Sequence, residues 1–501
     1  MNAFKGMLAS AVTLAAALSA RASSANLQDA RPAPAWLTRG VMYQVQPRAF
    51  TPEGTLKSIE AKLPYLKDLG VSIVYLVPVM VADDDRDRSF WSPRQVRSGF
   101  DNPRNQYRIK DYFHVDPEYG TDQDLKDLVA AAHRLGQKVI LDLVYFHAGP
   151  TAKVWQEHPA FTSWNADGTI AKGPWRFPRF NFRAPGVQEY LWGNMTALVR
   201  DFDVDGYRCD VGDAIPLDFW CEGHRRMTAL KKDAILLCEG YDEKDQETAF
   251  DADYGWFPGA DVFAGKKGAD AIRKAWEHRD LMSTQGARFV NHYENHDIAT
   301  DARPRRERAW GHAAIDQVLV WMFTLDGVPM LFTGNEMADA DPKHSMFGKA
   351  PMDWTQLDRE PGKGRQALVK ALAALRASHP AFTDFNGKKG LAWLDVSAPE
   401  SVTAFVRRAK DGGQVVVVQN WTAKEVAADV AFEVPPEDIP DYLSVPRLDR
   451  SVKGALAEEP LLSRNAARTG ARSFRLGAFG FAVFRVEAAR ACPAKATASR
   501  P

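Results

Sequence analysis

Apolar positions along this chain follow two alternating rhythms. Short, dense runs read as strands: VMYQVQ at 41–46, SIVYLVPV at 72–79 and KVILDLV at 138–144. Between them, residues 55–70, 121–136 and 187–202 carry apolar positions at helical spacing. Gly70 and Gly136 stand where the first two helices should stop, and Thr121 where the second should be capped. The unit repeats through DGYRCDV, ILLCEG, FVNHYEN and VPMLFTG, and a weaker strand near Phe250–Tyr254 makes eight. Repeated strand–helix units predict a parallel sheet with right-handed crossovers. Eight of them predict an α/β fold of the (β/α)8 TIM barrel type, with its working face at the C-terminal strand ends.

Two stretches break the rhythm. Residues 148–185 form a long excursion rich in Pro, Trp, Phe and Asn, and ordered loops of that length are usually functional. From about residue 386 the pattern turns to strands and turns, SVTAFVRRA, QVVVVQNWT and FGFAVFRV, which predicts an antiparallel β-sandwich domain. The expected organisation is a leader at 1–25, barrel at 36–147, an inserted domain at 148–185, barrel again at 186–385, a β domain at 386–488, and a disordered tail at 489–501.

Four of the strand segments end at or just beyond an acid: ILDLVYFH at 140–147, GYRCD at 206–210, ILLCEG at 235–240 and FVNHYENHD at 289–297. Buried parallel strands are ordinarily apolar, so Asp142, Asp210, Glu239 and Asp297 mark convergence on one site. Two or three converging carboxylates are the equipment of glycoside chemistry.

Composition narrows the partners. Lys+Arg and Asp+Glu are both 64, so the formal charge is +0 and no nucleic acid or anionic membrane is implied. The N-terminus reads as an export signal, with Lys5, an apolar stretch from Met7 to Leu18, and cleavage sites at Ala20-Arg21-Ala22 or Ser23-Ser24-Ala25. That stretch is too short to span a bilayer, and the first cysteine is Cys209, so no lipid anchor is expected. The expected location is periplasmic or secreted. Cys209 and Cys238 each neighbour a candidate acid along a strand, so their sulfurs should face away from the site. Free buried thiols are expected there, with a Cys209–Cys238 bridge as the alternative, and no cysteine metal cluster.

With these segments in order, the chain resembles the alpha-amylase family, glycoside hydrolase family 13, over about residues 40–488. VMYQVQPRAF, YRIKDYFHVDPEYGT and the four acidic segments carry the resemblance. It implies a retaining hydrolase in which Asp210 is the nucleophile, Glu239 the general acid/base and Asp297 the acid that binds sugar hydroxyls. The two working carboxyls should then lie about 5–5.5 Å apart. Arg208, on the strand face of Asp210, would hold it ionised, since a nearby cation lowers a carboxylate's pKa. His147 and His296 match sugar-hydroxyl ligands, Tyr107 an aromatic platform, and Asp142 a brace acting through Arg208. Trp155, Trp164, Trp175 and Phe180 in the insertion read as cleft lining or as ordinary packing.

Departures from the family pattern are equally informative. Phe146, Ala214 and Arg179 stand where calcium-dependent members place ligands, and calcium needs 6–8 oxygens. The usual calcium site is expected to be absent, with no cofactor and no metal at the site; the run Asp83-Asp84-Asp85-Arg86-Asp87 reads as a solvated surface loop. Asp213 replaces a lysine of the acceptor side, which makes long-starch action less secure than α-glucoside cleavage. The expected partner is an α-glucan or malto-oligosaccharide. Transfer to a sugar acceptor, as in a transglycosylase or isomerase, is the alternative within the family. A non-catalytic carbohydrate-binding member is the alternative outside enzymes, and retention of all three acids argues against it.

Overall fold

The computed structural model describes residues 29–240, 244–383, 390–410, 413–431, 462–469 and 472–486. The predicted 1–25 leader and 489–501 tail lie outside them.

Eight parallel strands close into a barrel: β1 (Met42–Val45), β2 (Ile73–Leu76), β5 (Lys138–Leu143), β6 (Gly206–Cys209), β7 (Ile235–Cys238), β8 (Ala252–Trp256), β9 (Phe289–His292) and β10 (Val328–Phe332). Neighbours in the barrel follow chain order, and β10 returns to β1 with Met42 opposite Met330. Strand alternation sorts the side chains. Met42, Ile73, Tyr75, Ile235 and Leu237 fill the barrel interior, while Tyr43, Val74, Leu76 and Leu236 pack under the helices. Cys209 and Cys238 belong to that outer layer and are free thiols.

The helices at 122–134 and 187–202 form as the pattern predicts. Thr121 caps the first with a reciprocal bond to Asp124, and Gly136 follows it at φ +70°. The helix predicted at 55–70 is two, Leu56–Glu60 and Leu63–Asp68. Pro64 is the cause: it has no N–H for the preceding turn, but it suits the start of a new helix.

Two insertions rise on the strand-end side. An antiparallel hairpin, β3 (Met80–Ala82) with β4 (Ile109–Val115), precedes β5. Its register shifts twice over three pairs, so no clean alternation announces it in the sequence. The 148–185 excursion contains the helix Lys153–Glu157, two 3-10 turns and isolated bridges. Backbone bonds from Ala148 N to Pro178 O (3.0 Å) and Phe180 N to Phe146 O (3.1 Å) tie it to the end of β5.

The C-terminal unit holds β11 (Leu391–Leu394), β12 (Val402–Arg408), β13 (Gln414–Asn420), β14 (Val426–Asp429), β15 (Ser463–Arg468) and β16 (Ser473–Val486). These described strands form one antiparallel sheet rather than the two of a sandwich. The long β16 accounts for it, pairing with β13 along its second half and with β14 along its first. One face packs on the barrel through Phe405, Val415 and Val417, and Gln317 Nε2 donates to Asn420 O and Gly480 O (2.8 and 2.7 Å).

Candidate active site

Three consecutive parallel strands bring the first acids together. In register, Asp142 on β5 lies beside Arg208 on β6, and Asp210 and Glu239 follow at the ends of β6 and β7. The fully buried Arg208 fans out to all three. Nη1 donates to Asp142 Oδ1 (2.7 Å) and Asp210 Oδ1 (2.9 Å), and Nη2 makes an ion-pair contact of 2.6 Å with Glu239 Oε2. That contact lacks hydrogen-bond alignment, and Nε has no partner either. Asp210 and Glu239 therefore sit on adjacent nitrogens of one guanidinium.

Val211 adds a local signal. It follows Asp210 at φ 48°, a region that β-branched residues avoid, and its N–H donates to Glu239 Oε2 at 2.9 Å. The backbone strain is spent on linking the two candidate working acids. Nothing in the residue type announces it.

Asp142 is held from below. Tyr75 and Tyr107 hydroxyls donate to its Oδ2 at 2.6 and 2.8 Å. Burial pushes its carboxyl up to about 6, against the lowering effect of Arg208 and the two tyrosines. Asp210 is also pushed well up, first by burial, with Glu239, Asp142 and Asp297 adding to it and Arg208 opposing. The expectation that Arg208 dominates this balance is corrected: desolvation of a wholly buried carboxyl among three others outweighs one cation.

Asp297 arrives differently. It lies in the first turn of the helix His296–Asp301, past the end of β9, and Asn295 caps that helix by accepting from Ile298 N (2.9 Å). His296 is fixed by Gln44, whose Nε2 is 2.9 Å from His296 Nδ1, and its ring stacks on Tyr107 at 5.0 Å. Burial drives His296 well below its ordinary pKa and His147 to about 4, so both rings are neutral near pH 7. His147 Nε2 lies 2.9 Å from Tyr107 O, and its Nδ1 has no partner. All eight predicted site residues thus come together, through contacts with one another or through Gln44.

Residues not picked out from the sequence complete the floor. Gln44, Tyr75 and Tyr254 are inward-facing polar or half-polar groups in strands, and the Arg208 guanidinium lies 5.3 Å from the Tyr254 ring centroid. Polar side chains on the inward rhythm of β1 and β2 were the available signal for the first two. In the 148–185 excursion, Trp155 and Phe180 are buried against each other at 4.7 Å, so they are packing residues. Trp175 is 45% exposed with its ring 5.7 Å from His147, so it stands at the rim. A cavity of 340 Å³ opens at the loop after β6, lined by Asp213, Ala214, Leu217 and Trp220, and none of the eight site residues lines it.

For metals, Phe146 packs against Trp175 at 5.9 Å, and Arg179 and Ala214 are exposed. None of the three offers a side-chain oxygen, so they do not fit a calcium ion. One metal-competent group exists among the described residues. Ligand atoms of Cys238, Asp245 and Asp253 lie within 4.8 Å of one another, with Gln246 already donating to Asp253 Oδ2 at 2.7 Å.

Comparison with known proteins agrees with this fold. The family model "Alpha amylase, catalytic domain" matches residues 23–174. The chain is 27% identical over 430 residues to an alpha-amylase, MalA, of Haloarcula japonica, covering 79% of this chain and 58% of that protein. It is 26% identical over 479 residues to a cyclomaltodextrinase of Thermoanaerobacter pseudethanolicus, covering 84% and 76%. Its fold matches a maltogenic alpha-amylase, AmyB, from Thermotoga neapolitana with a TM-score of 0.69 at 23% identity, covering 90% of this chain and 97% of that one. An alpha-amylase from Lactobacillus plantarum matches with a TM-score of 0.71 at 21% identity, covering 91% and 100%. By its barrel and these matches, the chain is similar to the alpha-amylase family of glycoside hydrolases.

Proposed function

We propose that this chain is a retaining hydrolase of α-glucosidic bonds, mainly α-1,4, in starch or malto-oligosaccharides. One observation carries the reading: a single buried guanidinium joins Asp142, Asp210 and Glu239 at consecutive strand ends, and Asp297 comes from the helix after β9. In this reading Glu239 gives its proton to the leaving oxygen while Asp210 attacks the anomeric carbon. Glu239 then takes a proton from the water that displaces Asp210, and the configuration is retained after two inversions. Tyr107 and the neutral His147 and His296 form the polar and aromatic wall against the sugar.

The names of the relatives, alpha-amylase and cyclomaltodextrinase, support glucan substrates. We propose further that no calcium bridges the barrel and the 148–185 excursion, on the misfit of Phe146, Arg179 and Ala214, and that residues 1–25 act as an export leader.

The test is a proton NMR time course on maltotriose, starch, sucrose and trehalose. The expected result is early α-configured products from maltotriose and starch, and loss of about 10⁴-fold or more in Asp210→Ala. Products longer than maltotriose formed from maltotriose itself as the main early species would move the reading to transfer. Cleavage surviving intact in Asp210→Ala would overturn it.

A further inference from the structure

Arg94 lies in a stretch that no motif marks. It sits on the short helix Pro93–Arg97, inside the connection between β3 and β4, and Ser92 caps that helix by accepting from Gln95 N at 3.0 Å. From there its guanidinium crosses to the helix His296–Asp301. Nε and Nη2 clasp Asp301 as a fork, at 2.9 Å to Oδ1 and 2.8 Å to Oδ2. Nη1 donates to Oδ1 of Asp297. An exposed ion pair is worth little by itself. This one is only 34% exposed on the arginine side, and its third partner is the candidate sugar-binding acid.

We propose that Arg94 is a positioning residue for Asp297. The inference rests on the function proposed above and adds to it. The fork on Asp301 fixes the plane of the guanidinium, and Nη1 then fixes one oxygen of Asp297 and leaves the other for a sugar hydroxyl. The charge is needed as much as the geometry. Asp297 shares its site with Asp210 and Glu239, and Asp301 follows on its own helix, so three carboxylates face it. Against them stand Arg208 and Arg94. His296, 3.6 Å from Asp297 through Nε2, is neutral and adds no charge. Burial pushes Asp297 up and Arg94 pulls it down, so removing Arg94 lets it rise further.

The test compares kcat, KM and the pH profile of kcat/KM on maltotriose for wild type, Arg94→Ala, Arg94→Lys and Asp301→Asn, with thermal unfolding of each. Arg94→Ala is expected to lose about 10²-fold in kcat/KM, the loss typical of a misplaced group, and to move the acid limb to higher pH. Arg94→Lys keeps the charge but not the fork. It should restore the acid limb while recovering only part of the rate, and Asp301→Asn should fall between wild type and Arg94→Ala. An Arg94→Ala enzyme with unchanged kcat/KM and acid limb overturns the proposal. So does one that loses activity only in step with its unfolding temperature while its limb stays put. A wild type that cleaves no α-glucoside overturns the functional reading itself, and this proposal with it.

Discussion

Two sets of buried arginines hold this molecule together, and they are built on opposite rules. Arg365 and Arg305, near the loops after β10, are saturated. Arg365 forks onto Glu307 at 2.9 and 3.0 Å, bonds Asp316 through Nε, and gives its remaining capacity to the His312 and Asn335 carbonyls. Arg305 forks onto Glu294 at 2.9 and 2.7 Å and adds Asp339 and the Asp341 carbonyl. Arg208 is spread over three carboxylates instead, with Nε unmatched and Nη2 misaligned. A buried ion pair becomes tolerable when its geometry is complete. Arg208's set is incomplete and its acids end at an opening, so it is a centre with capacity left for a ligand. Neither burial of charge nor unfinished pairing marks the site alone, since the buried Arg108 and Arg376 also leave nitrogens unmatched; at Arg208 unfinished pairing coincides with three converging carboxylates.

Breaking each set separates the two rules. The largest effect is expected from Arg208→Met, a loss of about 10³-fold in kcat/KM, the scale of removing one preorganised charge from a site. Its unfolding temperature at pH 6 should move little, because Asp142 and Asp210, already pushed up by burial, take on protons when the cation goes. Arg365→Met should do the reverse. Its acids Glu307 and Asp316 lose a well-formed partner, which costs about 3 kcal/mol and several degrees, while kcat/KM below the transition stays near wild type. Kinetics and thermal scans on both variants check the contrast, and matching behaviour in the two would sink it.

The sequence made one set legible and not the other, for a physical reason. Arg208 falls two residues before Asp210 on a strand, so face and neighbour both follow from period-two geometry. Arg365 sits on the helix Gly362–Ser378, and its partners lie 49 and 58 residues away, a distance no local pattern spans. The same limit hid Arg94, whose partners are 203 and 207 residues distant. The barrel itself was readable because each strand–helix unit repeats one local rule. The β3–β4 hairpin was not, since its register slips, and the split helix at 56–68 needed only more weight on Pro64.

A smaller effect separates unfinished from finished pairing by pH. Burial raises Asp142 from 3.8 to about 6 despite Arg208, Tyr75 and Tyr107. Between those values the folded chain keeps a proton that the unfolded chain has released. Its contribution to stability is full below about pH 4 and declines as pH rises to about 6, by at most about 1.4 kcal/mol per pH unit. Glu118 is the opposite case. Burial alone would raise it, but Arg48 and Lys349 bring it down to about 2, so its contribution is present above pH 4.5 and lost as pH falls towards 2. Urea unfolding from pH 3 to 7 should show Asp142→Asn losing the decline between pH 4 and 6. Glu118→Gln should lose the rise below 4.5. An Asp142→Asn curve parallel to wild type would mean that Asp142 is ionised throughout and its set as complete as that of Arg365.

The smallest expected effect is none at all, and it concerns the seam between barrel and excursion. There the chain uses neither fork nor fan: the Phe146 and Trp175 rings and backbone bonds such as Phe180 N to Phe146 O close it. A metal bound there would stabilise the folded state by mass action, about 2.7 kcal/mol at a concentration 100 times its Kd. Stripping such a metal would lower the unfolding temperature by degrees. With phenylalanine, arginine and alanine at the positions where oxygens would be needed, treatment with a chelator should leave both the unfolding temperature and kcat/KM unchanged. A fall of several degrees that calcium restores would show that the seam hides a pairing of its own, and that aromatic packing and backbone bonds do not suffice to close it.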